Sequence, residues 1–218
     1  MSRRVATHPR RPGPALGLLL AIALLGPSCT SLKRCAYEPA DRDGWQKPAE
    51  VVAALALRPG DRVADLGSGG GYFTFRLADA VGPGGRVYAV DVDAAMNDDL
   101  ERRAREAQRT NVEVVLAALD DPRLPEPVDL IFTSNTYHHL ASRPTYFRNA
   151  RRYLRPGGRI AIVEFRPEGL WQRIFPHSTA AEAIRTEMES AGYRLAQELD
   201  FLERQHFLVF ALPAAPDP

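Results

Sequence analysis

The sequence predicts an α/β fold: a doubly wound sheet of seven strands, mostly parallel, closing on a C-terminal antiparallel hairpin. Three observations predict it. Short β-branched, apolar runs alternate with segments of helical period, the order that builds a parallel sheet with helices on both faces. The first of these runs ends on an acid and passes directly into a glycine-rich turn, Asp65-Leu66-Gly67-Ser68-Gly69-Gly70-Gly71. The last two runs are separated by only Glu203-Arg204-Gln205, too short for a crossover, so they pair antiparallel.

Taken in order, the first segment is of a different kind. Arg3, Arg4, Arg10 and Arg11 precede an apolar run from Ala15 to Leu25, and Gly26-Pro27-Ser28-Cys29 follows. A basic region, a short apolar core and small residues make a secretory leader; the run is too short to span a bilayer comfortably. Cys29 resembles the lipidated cysteine of bacterial lipoproteins, although Gly26 stands where leucine is usual. Arg3-Arg4 matches a twin-arginine signal only in part. The alternative is a cytoplasmic protein whose start codon lies further in, or an untranslocated apolar tail. The expected organisation is a leader over 1–29, a polar tether over 30–45 and one domain over 46–213.

The domain opens on a helix over Pro48–Leu57, with proline in its first turn and Val51, Val52, Leu55 and Ala56 on one face; Arg58-Pro59-Gly60 stops it. Strands are expected at Arg62–Leu66, Arg86–Asp91, Val112–Ala117, Val128–Ser134 and Arg159–Phe165. Helices at Tyr72–Val81, Ala94–Gln108 and Pro144–Leu154 lie between them. The proline-rich connection from Ala118 to Pro127 carries at most a short turn. A helix over Thr179–Ala191 leads into the hairpin strands Arg194–Leu202 and His206–Leu212.

Composition narrows the function. Net charge is +1, and the arginines at 102, 103, 105 and 109 are interleaved with Glu101 and Glu106, as on a solvated helix face; nothing argues for nucleic-acid binding. Cys29 and Cys35 are the only cysteines and lie outside the domain, which therefore has no thiol chemistry and no cysteine-based metal site.

The glycine turn is the most informative motif. Glycines there let the chain turn sharply and let a ligand lie on main-chain N–H groups at a helix N-terminus. Its pattern is D-x-G-x-G-x-G. A dinucleotide-binding turn needs a further glycine where Tyr72 stands, and the absence of Gly-Lys-Ser/Thr excludes a P-loop. The motif resembles the first motif of class I S-adenosylmethionine (SAM)-dependent methyltransferases. The resemblance extends from about Trp45 to Leu212 through Val87-Tyr88-Ala89-Val90-Asp91, Val128-Asp129-Leu130-Ile131-Phe132 and Leu154-Arg155-Pro156-Gly157-Gly158-Arg159. It implies SAM as cofactor, its methionine end held by Gly67, Ser68, Gly69 and Gly71 with Asp65 near the amino group.

Ligands of doubly wound sheets bind outside the strand carboxyl ends. Asp91, ending the second strand, is the expected ribose ligand; Asp93 is the better helix cap. The Gly-Asp pair that often meets adenine in the family is missing here. Asp120 or Asp121, or the backbone of Ala118 and Leu119, takes its place. Tyr72 is expected near the methionine tail, or simply packed in its helix. Asn135 and Tyr137 are candidates for orienting a ligand. His138 and His139 are the candidate general bases, with packing or helix capping as the alternative, since imidazole titrates near neutral pH. Glu164 is placed to line the acceptor side, His177 lies in a loop, and Trp45-Gln46-Lys47-Pro48 is either a lid or ordinary core.

The resemblance thus implies methyl transfer to a small-molecule or lipid-like acceptor, with Cys29 as a membrane anchor. Because SAM is made in the cytoplasm, export would leave a second class open: a non-catalytic envelope protein that keeps the fold and binds a nucleoside-like ligand or a partner. A nicotinamide-linked oxidoreductase is disfavoured by Tyr72 and the terminal hairpin.

Overall fold

The computed structural model describes residues 41–167 and 178–213. The segment expected to be a leader, Cys29, Cys35 and His177 lie outside them. The strands are β1 (Arg62–Leu66), β2 (Arg86–Asp91), β3 (Val112–Leu116), β4 (Val128–Ser134), β5 (Leu154–Phe165), β6 (Arg194–Leu199) and β7 (Gln205–Ala211). They form one sheet in the order β3-β2-β1-β4-β5-β7-β6. β1 to β5 run parallel, and β7 inserts antiparallel between β5 and β6. This is the predicted mostly parallel sheet with its antiparallel close. The helices are α1 (Arg42–Gln46), α2 (Pro48–Ala54), α3 (Thr74–Val81), α4 (Ala94–Glu106), α5 (Arg143–Ala150) and α6 (Ala181–Ser190), with 3-10 turns at Tyr137–His139 and Arg151–Tyr153.

Strand alternation divides the core cleanly. Ala64, Leu66, Tyr88, Val90, Ile131, Ile160, Ile162, Leu208 and Phe210 point to one face, where Phe147 of α5 and Ile184 and Met188 of α6 cover them. Their neighbours Val63, Val87, Leu130, Phe132, Ala161, Val163, Phe207 and Val209 point to the other, under Val51 of α2 and Leu77 and Val81 of α3. Period-two side chains buried on both faces are what a parallel sheet between two helical layers requires.

Two departures from the sequence reading have local causes. β5 begins at Leu154, not Arg159: Val128 pairs with Leu154 and Leu130 with Arg159, and the register shift absorbs Arg155–Gly158 as a bulge. Gly158 makes that possible, because a Cβ there would lie 2.9 Å from the Arg155 carbonyl oxygen and 3.1 Å from that of Val128. The second is α1. Arg42–Trp45 were read as the end of a tether, yet they belong to a helix whose Arg42 and Gln46 are buried in the domain.

Candidate active site

The carboxyl ends of β1, β2 and β4 meet at one edge of the sheet, because β1 lies between the other two in parallel register. Asp65 lies near the end of β1, only 3% exposed, and accepts a hydrogen bond from Thr74 Oγ1 at 2.6 Å. Burial pushes its carboxyl up to about 6, against the Thr74 bond and the nearby Arg42, which favour the anion. The turn then bonds onto β2: Gly67 N–H donates to the Val90 carbonyl at 2.8 Å. Gly67 has φ +77°, and a Cβ there would come within 2.1 Å of Thr136 Oγ1, in the loop after β4. Only glycine serves at that contact. Gly69, by contrast, faces open space. Its N–H donates to Asp91 Oδ2 at 2.9 Å, while Asp93 N–H donates to Oδ1 at 3.0 Å. Asp93 itself caps α4, accepting from Ala95 and Met96 N–H, as its position predicts. The Ser68 hydroxyl is buried without a hydrogen-bond partner.

Three large apolar side chains are exposed among the described residues, all at this edge: Val92 (53%), directly after Asp91, Leu116 (50%) and Leu119 (77%). The sequence reading missed them as side chains. Their signal was apolar residues flanking the expected acids where a strand should already have ended. Of those acids, Asp120 is exposed. Asp121 accepts from Arg123 N–H at 2.8 Å and Tyr153 OH at 2.9 Å, and pairs with Arg152.

The loop after β4 forms the other half of the site. Asn135 sits at φ +54°, and its Oδ1 accepts from Gln205 Nε2 at 2.6 Å, which ties it to β7. His138 Nδ1 lies 2.8 Å from Glu164 Oε1. Glu164 is fully buried and also accepts from the N–H groups of His138, at 3.3 Å, and Phe165, at 2.9 Å. His139 is exposed, its ring centroid 4.0 Å from that of His138. Tyr137 is wholly buried; its hydroxyl donates to Glu187 Oε2 at 2.6 Å, and Arg143 grips both oxygens of that carboxylate at 2.7 Å.

α1 lies over this edge. Gln46, fully buried, donates from Nε2 to Ser134 Oγ at 2.8 Å. Tyr72, expected near a ligand's tail, donates its hydroxyl to Asp43 at 2.5 Å, its ring between the guanidinium groups of Arg42 (3.7 Å) and Arg76 (4.2 Å). The Trp45 ring meets Phe165, 5.5 Å between centroids. Among the described residues no cluster of three or more His, Cys, Asp or Glu side chains could hold a metal ion, and no helix is long and apolar enough to cross a membrane.

A family model described as a methyltransferase domain matches residues 57–200, more than half of the chain. The chain belongs to the class I SAM-dependent methyltransferase family. Among curated relatives, an arsenite methyltransferase of Halobacterium salinarum is 28% identical over 158 residues, 66% of this chain and 40% of that protein. A ubiquinone/menaquinone biosynthesis C-methyltransferase of Ectopseudomonas mendocina is 32% identical over 123 residues, 55% of this chain and 47% of the relative. The chain thus spans less than half the length of these relatives. A SAM-dependent methyltransferase structure from Aquifex aeolicus shares the fold, with a TM-score of 0.73 at 24% identity, covering 82% of this chain and 96% of that one. So does a structure described as a possible exported protein from Bordetella parapertussis, with a TM-score of 0.63 at 21% identity, covering 84% and 73%.

The cofactor of this methyltransferase family is SAM, and the residues present fit it. Asp65 is a buried carboxyl that a cationic ligand group would relieve. Gly69 leaves room for a ligand against its backbone, the buried Ser68 hydroxyl lacks a partner, and apolar side chains stand exposed beside Asp91.

Proposed function

We propose that the protein transfers a methyl group from SAM to a small-molecule or lipid-like acceptor. The observation that carries this is the Asp91 carboxylate, pinned by Gly69 N–H beside an open turn and across from buried Asp65. Bound SAM supplies a methyl group on a sulfonium, already activated for in-line attack. The chain's residues bind, align and exclude water. Asp91 takes the ribose hydroxyls, the Gly67–Gly71 backbone the methionine end, and Asp65 the ammonium. Val92 and Leu119 flank the adenine, whose amino group is met by Asp120 or by the backbone at Ala118 and Leu119. α1, locked by Gln46 and Tyr72, shields the edge from solvent. The relatives' names, one an arsenite and one a quinone-pathway methyltransferase, support a small acceptor.

Calorimetric titration of SAM and S-adenosylhomocysteine into the full chain tests this. One micromolar site is expected, with Asp91→Ala weakening binding about 10- to 100-fold, the worth of hydrogen bonds to a charged group. No binding of either compound would overturn the proposal. The second reading, an envelope protein lipidated at Cys29 that keeps the fold without catalysis, is favoured by the basic-apolar-small leader and by the fold shared with a possible exported protein. Membrane fractionation with mass spectrometry of the N-terminal peptide tests the anchor, and SAM titration the loss of function.

A further inference from the structure

We propose that Arg42 of α1 binds the carboxylate at the cofactor's amino-acid end, so that Arg42 and Asp65 together receive the zwitterion and the chain selects SAM and S-adenosylhomocysteine over adenosyl sulfur compounds that lack this carboxylate. The inference rests on the SAM-binding reading and adds to it a binding residue outside the glycine turn. Arg42 lies ahead of residues 57–200, which the family model matches.

The argument starts from what Asp65 leaves undone. The amino-acid end of SAM carries an ammonium and a carboxylate on one carbon. Asp65, buried beside the turn, suits the ammonium and repels the carboxylate. A carboxylate brought there needs a cation of its own. Arg42 is such a cation, only 9% exposed. It acts on Asp65 as a nearby positive charge. Its guanidinium lies over the rings of Tyr72, at 3.7 Å, and Phe73, at 5.9 Å, the two residues that follow Gly71. Two buried side chains of opposite charge, within electrostatic reach of one another, match the two charges of an α-amino acid.

Neighbours fix where Arg42 stands. Its Nε donates to Gln46 Oε1 at 2.5 Å, one helical turn on, and Gln46 Nε2 donates to Ser134 Oγ at the end of β4 at 2.8 Å. The Tyr72 hydroxyl donates to Asp43 of the same helix at 2.5 Å. α1 therefore bridges the end of β4 and the entry to α3, with the carboxyl end of β1 beside β4. A guanidinium has five N–H donors in a planar fork, so it can take a carboxylate alongside the protein partners it keeps. Two further arginines at the turn, Arg76 and Arg103, are half-buried and serve the protein itself. Arg76 donates to the Tyr72 carbonyl at 2.6 Å and pairs with Asp43, and Arg103 donates from α4 to the Gly70 carbonyl.

The test is calorimetric titration of the full chain with S-adenosylhomocysteine and with its decarboxylated analogue, the same molecule without the carboxylate. The quantity read is the ratio of the two affinities, because a variant that merely loosens α1 weakens both ligands alike and leaves the ratio standing. The wild-type chain is expected to favour S-adenosylhomocysteine by about 10- to 100-fold, as hydrogen bonds between charged groups provide. In Arg42→Gln the ratio should fall to about one or below, since the carboxylate then meets Asp65 without a cation. Arg42→Lys, which keeps the charge and loses the fork, should keep part of the preference. A wild-type ratio near one would overturn the inference. So would a ratio unchanged in Arg42→Gln, which would give the carboxylate to the main-chain N–H groups of the turn. Binding of neither compound by the wild-type chain would overturn the SAM-binding reading itself, and this inference with it.

Discussion

Asp65, proposed above as a ligand-binding residue, carries a cost to the ligand-free fold. Its carboxyl is raised from 3.8 to about 6, chiefly by burial, which corresponds to about 3 kcal/mol. The folded value lies above the unfolded one, so the folded state holds the proton more tightly. Stability is therefore undiminished below about pH 4, falls as pH rises towards 6, and stays lowered above it. Asp65→Asn should accordingly stabilise the ligand-free chain by up to about 3 kcal/mol at pH 8 and hardly at all at pH 4, measured by urea denaturation, while weakening SAM binding at least 10-fold. An equal gain at both pH values would mean that ionisation is not the source. Gly67→Ala belongs to the same scale. It adds a methyl group 2.1 Å from Thr136 Oγ1 on a backbone at φ +77°, and should lower both stability and SAM affinity, by about 2 kcal/mol or more in unfolding free energy. Each of these residues was legible in the motif. The burial of Asp65 and the contact with Thr136 were not, since they depend on neighbours far away in the chain.

Among the elements, α1 departs most from what its sequence suggests. At five residues it is too short to be stable alone. It exists because Arg42 and Gln46 find partners elsewhere: Gln46 bonds Ser134, 88 residues on, and Arg42 stacks on Tyr72. Gln46→Leu would leave the buried end of that network unsatisfied, at a cost of about 1–3 kcal/mol. In hydrogen exchange, amides of Arg42–Ala54 should then open well before those of β1 and β4. Simultaneous loss of protection across the sheet would show instead that α1 is part of the cooperative core. The turn Tyr137–His139 follows the same logic. His138 and Glu164 could each be named as candidates, but their pairing waits on β4 lying beside β5.

For the molecule as a whole, binding at the strand ends joins β1, β2 and the loop after β4, so it should stabilise the entire sheet. With SAM at 100 times its dissociation constant, the expected gain is about 2.7 kcal/mol, or roughly 5–10 °C in melting temperature for a chain of this size; at the same SAM concentration Asp91→Ala should cut the gain to about 0.4–1.4 kcal/mol. The sequence by itself determined the fold class, the order of elements, the bounds of β1, β2 and β4, the glycine turn with its two acids, and hence the family and cofactor. Those features are written in short-range signals: the period of apolar residues, the residue types that stop helices, and glycine at fixed offsets. Only the tertiary structure decided that β5 starts early through a bulge against Val128, that α1 covers the site, that Tyr72 and Asn135 bond to Asp43 and Gln205, and that Glu164 faces His138. The physical reason is the same in each case. A polar group that leaves water must find its partner wherever packing brings one, and the partner's distance along the chain leaves no local pattern to read.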